Sequence, residues 1–178
     1  SEEQSASVTK QRFSEVMADV KAFAPSDDYG LVLWSHAAGW ANSLPKSVGA
    51  RPRYFGIDYN ATMPIDSLAD AIPAGMFSFI YADACYMGGI EVAYQLRNKT
   101  RYFVGSPAEI PYDGMPYDVT IPLFFEENVS LSKICDKVYD YYRNSTSGVA
   151  LSIVDCAKLD ALAAVCRDIH STADILSL

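Results

Sequence analysis

The stretch Phe77-Ser-Phe-Ile-Tyr-Ala-Asp-Ala-Cys85-Tyr-Met-Gly-Gly89 constrains the fold of this chain more than any other. It reads as a buried strand that stops at a cysteine, followed by glycines that let the backbone turn sharply. Such a strand places a thiol at the carboxyl edge of a sheet, where α/β enzymes collect their reactive groups. Leu31-Val-Leu-Trp-Ser-His36-Ala-Ala-Gly39-Trp40 repeats the pattern and brings one of the two histidines of the chain to what would be the same edge. A cysteine and a histidine delivered by two strand ends are the minimal parts of a thiol hydrolase.

Composition permits this. Half of the 178 residues are apolar and 12% are aromatic, enough for one domain, residues 1–178, with a substantial core. No run approaches the roughly 20 apolar residues that span a bilayer, and Ser1-Glu-Glu-Gln does not resemble a signal peptide. The formal charge is −8 and the basic residues are scattered, which argues against nucleic acid as a partner. Cys85, Cys135, Cys156 and Cys166 form no C-x-x-C pair and no metal-ligand spacing, and no cofactor motif is present. Cys135 and Cys166 fall in helical patterns and are expected as small core residues.

Helix and strand alternate along the chain. Phe13, Val16, Met17 and Val20 share one face of an opening helix that ends near Pro25. The His36 strand follows, then a Gly/Pro/Ser-rich surface loop over 41–52, a short strand at Tyr54 to Asp58 and a helix at Asp66 to Ala71. After the Cys85 strand come a helix at Gly89 to Asn98, a strand at Tyr102 to Ser106 and a Pro/Gly/Tyr loop to Tyr117. Helices around Val119 to Glu126 and Leu131 to Tyr142, a strand at Val149 to Val154 and a helix from about Lys158 complete the pattern. Strands separated by helices imply a mainly parallel sheet covered on both faces.

Three segments, in order, resemble the clostripain family of cysteine peptidases: Ser35-His36-Ala-Ala-Gly-Trp40, Asp83-Ala-Cys85-Tyr-Met-Gly-Gly-Ile-Glu91, and Ser106-Pro-Ala-Glu-Ile-Pro-Tyr-Asp-Gly-Met-Pro-Tyr117. The resemblance implies a caspase-like three-layer sandwich, shared with gingipains and legumain, and a secreted or cell-surface bacterial enzyme that needs no cofactor. Family members usually carry a further strand ahead of the opening helix, so the chain is expected to lack an N-terminal strand, as a fragment or as the larger piece of a processed enzyme. Where the family has glycine after the histidine, this chain has Ala37. Alanine keeps the N–H but tolerates positive φ poorly.

Thiol peptidase chemistry needs a nucleophile, a proton donor for the departing amine and donors aimed at the developing oxyanion. Cys85, His36, and the N–H groups of Ala37 and Cys85 fill those roles. The competing pair, Cys156 and His170, is separated by a helix that would hold them roughly 20 Å apart at about 1.5 Å per residue. Relatives prefer arginine or lysine before the cleaved bond, which calls for carboxylates in the pocket. Asp83 shares a strand face with Cys85 by the period of two, and the resemblance places Asp113 beside the same pocket. The plain alternatives are an Asp83 that braces the turn through backbone hydrogen bonds and a solvated Asp113.

Relatives also cut themselves between the histidine and cysteine motifs. The loop Ala41 to Arg53 offers Lys46 as the best site, since Arg51 precedes Pro52 and Arg53 lies close to the next strand. The alternative to a peptidase is a caspase-like binding module without catalysis, for which Ala37 and the missing strand speak.

Overall fold

A computed structural model of the chain describes residues 6–40, 53–59, 61–145 and 148–172. Its first half contains helix α1 (Lys10–Phe23), strands β1 (Tyr29–Trp34), β2 (Tyr54–Asp58) and β3 (Ala61–Pro64), helix α2 (Ile65–Ala71) and strand β4 (Phe77–Asp83). Helix α3 (Ile90–Leu96), strand β5 (Thr100–Gly105), helices α4 (Tyr117–Phe124) and α5 (Leu131–Tyr142), strand β6 (Ser152–Asp155), a 3-10 turn (Cys156–Lys158) and helix α6 (Leu159–Thr172) follow. Helices α1 and α5 start on hydroxyl caps. Thr9 accepts from the N–H of Arg12, and Ser130 from that of Lys133, each satisfying a first-turn donor that the helix itself cannot.

The main sheet has the order β1-β4-β5-β6, with β1, β4 and β5 parallel and β6 antiparallel. β4 runs through its centre and is buried at every residue but Ser78. Side chains alternate between the two faces, as the strand period requires. Ile80 and Ala82 join Leu33, Leu68, Val92 and Phe103 on one side, whereas Phe79 and Tyr81 join Val104, Ile134 and Val138 on the other. Helices therefore cover both faces, as the alternating pattern requires. Leu68, Ile80 and Leu96 are each 0% exposed, and burial of such side chains stabilises by roughly 1.5–3 kcal/mol apiece.

The structure departs from the sequence reading at several places. β3 makes an antiparallel hairpin with β2 that the pattern did not announce, because four residues ending in proline show no alternation. The last strand begins at Ser152 rather than Val149: Ser152 pairs with Gly105, where β5 ends, so residues before it have no ladder to join. Cys166 is exposed rather than a core residue. α6 reaches the core through Leu159, 3% exposed, and leaves Leu162 and Val165, 44% and 53% exposed, outside it.

Candidate active site

Register builds the site. Trp34 of β1 lies opposite Asp83 of β4 in parallel pairing, so two further residues carry the neighbouring chains to His36 and Cys85 at the same level of the same edge. The β2–β3 hairpin props the histidine segment. Gly56 N–H donates to the His36 carbonyl at 2.8 Å, and Ala38 N–H donates to the Tyr54 carbonyl at 3.1 Å. Those two bonds flank the Ala37–Phe55 bridge and make it a pair without hydrogen bonds of its own. The ladder thus leaves the Ala37 N–H unused, and neither it nor the Cys85 N–H bonds to another described residue. Among the described non-glycine residues only Tyr59 and Tyr86 have positive φ, so alanine at position 37 carries no left-handed strain. The His36 side chain is exposed.

Cys85 sits at the start of a tight turn. Tyr86, at φ 59°, occupies the left-handed region, a cost of about 1–2 kcal/mol for such a residue. Its surroundings hold it there: its N–H donates to the Ala108 carbonyl at 3.0 Å, and its hydroxyl donates to Glu109 at 2.9 Å. Gly88 N–H donates to the Ser106 carbonyl at 2.6 Å. The segment after β5 thereby runs beside the nucleophile turn, and Ile110 N–H donates to the half-buried Cys85 Sγ at 3.4 Å. The histidine loop closes on the other side. Gly39, at φ +51°, lies so near that a Cβ there would stand 1.8 Å from the Tyr86 carbonyl oxygen. The two loops meet main chain to main chain.

Asp83 is 4% exposed. Its Oδ2 accepts from the Met115 N–H at 2.8 Å and from the Tyr117 hydroxyl at 2.7 Å. Burial raises the pKa of this carboxyl above the ordinary aspartate value, and the two hydrogen bonds oppose that rise. Burial, then the bond to Asp83, push the Tyr117 hydroxyl up in turn. Oδ1 has no hydrogen bond among the described residues. No buried side-chain oxygen or nitrogen among them lacks a partner, so Oδ1 is the oxygen that keeps a solvent-facing surface. Gly114, at φ +69°, packs against this group: a Cβ there would fall 2.6 Å from Oδ2 and 3.0 Å from Trp34 Nε1. The turn ending at Gly114 is closed by its N–H donating to the Pro111 carbonyl at 2.9 Å. Asp113 is exposed at its tip.

His36, Ala37, Cys85, Asp83 and Asp113 therefore lie on adjoining segments at one edge of the sheet. Lys46 falls outside the described residues. Arg53, at the end of that loop, lays its guanidinium 4.0 Å over the Trp40 ring. Cys156 and His170 are kept apart by α6. Burial also pushes the Cys156 thiol up to about 11, which makes it a poor nucleophile at neutral pH. Three groups escaped the sequence reading: the Ile110 N–H on the sulfur, and the Tyr117 and Tyr142 hydroxyls on the Asp83 loop. Tyr117 closes a quoted motif and could have been noticed there, but nothing in the α5 pattern marks Tyr142.

A model of the clostripain family matches residues 1–175. Among solved structures, a secreted C11 cysteine protease from Bacteroides thetaiotaomicron in complex with an irreversible peptide inhibitor is 34% identical at a TM-score of 0.78, covering 95% of this chain and 51% of that chain. An inactive zymogen C11 protease from Parabacteroides distasonis is 35% identical at 0.77, covering 93% of this chain and 45% of that one. A clostripain from B. thetaiotaomicron in complex with the peptide inhibitor BTN-VLTK-AOMK is 32% identical at 0.57, covering 66% of this chain and 53% of that one. The chain thus spans about half the length of the solved structures it matches. No curated protein matches it significantly.

Proposed function

The chain belongs to the clostripain family of cysteine proteases, and from that premise we propose that it is an endopeptidase cutting after arginine or lysine, with Cys85 as nucleophile and His36 as acid–base partner. The observation that carries this reading is the parallel register of Trp34 and Asp83, which sends both residues off one sheet edge together. In the proposed reaction the Cys85 thiolate attacks the scissile carbonyl carbon, and the oxyanion is met by the Ala37 and Cys85 N–H groups. His36 gives a proton to the departing amine as the C–N bond breaks. Water then hydrolyses the thioester, releasing the carboxylic acid product and restoring the thiol. The Ile110 N–H, directed at the sulfur, fixes the position of the thiol at the mouth of the turn.

Basic selectivity rests on Asp83 and Asp113. Asp83 offers Oδ1 to a cation while Oδ2 is held by its two donors. Asp113 supplies a second carboxylate one residue from the loop's anchor, so the paired acids favour the guanidinium of arginine and accept lysine. The B. thetaiotaomicron clostripain crystallised with a peptide inhibitor whose peptide ends in lysine lends support. A biotinylated arginyl acyloxymethyl ketone tests the whole reading. Peptide mapping by mass spectrometry is expected to find one adduct, on Cys85, formed as the carboxylate leaves. An adduct on Cys156 or Cys166, or equal labelling by a neutral analogue, would overturn it.

We further infer maturation by self-cleavage after Lys46, a reading that the zymogen among the similar structures supports. Wild-type protein incubated alone should acquire a nick between Lys46 and Ser47 that is missing from both Cys85→Ala and Lys46→Ala. A nick that persists in Cys85→Ala would assign the cut to another protease. Export fits the description of the B. thetaiotaomicron proteins as secreted. No helix among the described residues is long and apolar enough to cross a membrane.

A further inference from the structure

One peptide group in the pocket loop is held at both ends. The carbonyl of Gly114 accepts from the Tyr142 hydroxyl at 2.6 Å, and the N–H of Met115, in the same peptide plane, donates to Asp83 Oδ2 at 2.8 Å. Both bonds are buried, and the first crosses from α5, whose Ile134 and Val138 share a core cluster with Met115. Asp113 is joined directly to this fixed unit, and its own carboxylate bonds to no described residue. Its negative charge also reaches Tyr142: burial first, then Asp113, push that hydroxyl's pKa up.

We propose that Tyr142 is a positioning residue for substrate charge selectivity, fixing the Gly114–Met115 peptide so that Asp113 and Asp83 Oδ1 stand at a set separation for one cation. The proposal rests on reading Asp83 and Asp113 as the pocket acids. A bidentate cation is sensitive to that separation because its two donor directions are rigid. The carbonyl of Gly114 has no hydrogen-bond donor other than Tyr142 among the described residues. Without it, the peptide keeps its bond to Asp83 but loses the one that fixes its tilt, and Gly114, at φ +69°, is the residue best able to absorb the change. Asp113 moves with it.

The test compares kcat/KM for paired peptide substrates ending in arginine or in citrulline, its neutral isostere. In Tyr142→Phe the arginine-to-citrulline ratio is expected to fall about tenfold, a size in keeping with one lost buried hydrogen bond, with most of the change in KM for the arginyl substrate. Tyr139→Phe, which removes an exposed hydroxyl from the same helix, should keep the wild-type ratio. A purely structural hydroxyl would lower the melting temperature and depress both substrates together, leaving the ratio intact, and that result would overturn the proposal. If Tyr142→Phe is unfolded at the assay temperature, the same ratio read in both proteins below its melting temperature carries the same expectation and the same refutation. A wild-type enzyme that does not favour arginine over citrulline would instead remove the underlying reading of the pocket.

Discussion

Replacing Cys85 with alanine is expected to cut hydrolysis of an arginyl amide by about 10⁴-fold or more, since a nucleophile that acts as a unit with its partners takes most of the rate with it. The fold should survive. The side chain is half-buried and its sulfur receives one N–H, from Ile110, so the loss of stability should stay near 1 kcal/mol. Turnover measured beside a thermal melt separates the two effects. Cys156→Ala provides the contrast, because that thiol is buried and far from ionised at neutral pH. If Cys156→Ala lost activity while Cys85→Ala kept it, the assignment of the nucleophile would be wrong.

Asp83→Asn should have the second largest effect. The amide oxygen can still accept from Met115 and Tyr117, so the loop keeps both anchors, while an NH₂ group replaces the oxygen that would face the substrate cation. A desolvated cation left without its partner costs on the order of 2–5 kcal/mol, or roughly 30-fold and upward in kcat/KM for arginyl and lysyl substrates. Neutral substrates should lose far less. The raised pKa of Asp83 adds a pH signature. Arginyl turnover should climb as pH rises through the folded pKa, which burial holds above that of an ordinary aspartate, and Asp83→Asn should lack this limb of the profile. Stability moves the other way. Folded Asp83 binds its proton more tightly than the unfolded chain does, so its contribution is complete below the ordinary aspartate pKa and is lost as pH rises through the folded value. Denaturant midpoints across that window should decline in wild type more than in Asp83→Asn. Equal slopes, together with unchanged selectivity, would remove Asp83 from the pocket.

The sequence carried the parts of this molecule that depend on local patterns. β4 was legible because Phe77, Phe79, Ile80, Tyr81 and Ala82 make a nearly unbroken apolar run, and α5 because Leu131, Ile134, Val138 and Tyr142 recur at helical spacing. The ends of β1 and β4 were legible because the apolar residues stop at His36 and Cys85. What stayed hidden depends on contacts between distant segments. Asp83 was open to two readings, a brace or a pocket acid. The structure shows the brace, with Oδ2 accepting from Met115 and Tyr117, and the pocket role stays a proposal. Tyr142 lies 59 positions along the chain from Asp83 by their numbers (142 − 83), and no periodicity relates a helix end to a loop peptide. Cys166 misled because its helix carries an apolar stripe, yet only the Leu159 end of that stripe meets the core.

The crossing of Gly39 over Tyr86 makes the cleft a gauge of the sheet beneath it. Side chains between two loops act as springs, rearranging their rotamers when the supports shift. Here no side chain intervenes, and the approach is closed by a carbonyl oxygen where a Cβ would stand. Any sliding or tilting of β1 against β4 passes directly to the segments that carry His36 and Cys85. A displacement of about 1 Å is enough to lower a rate by roughly 100-fold. On mild heating or in low denaturant, turnover should therefore fade while the helices and strands still give their full spectroscopic signal, and enzyme rate becomes the finer measure of strain in this sheet.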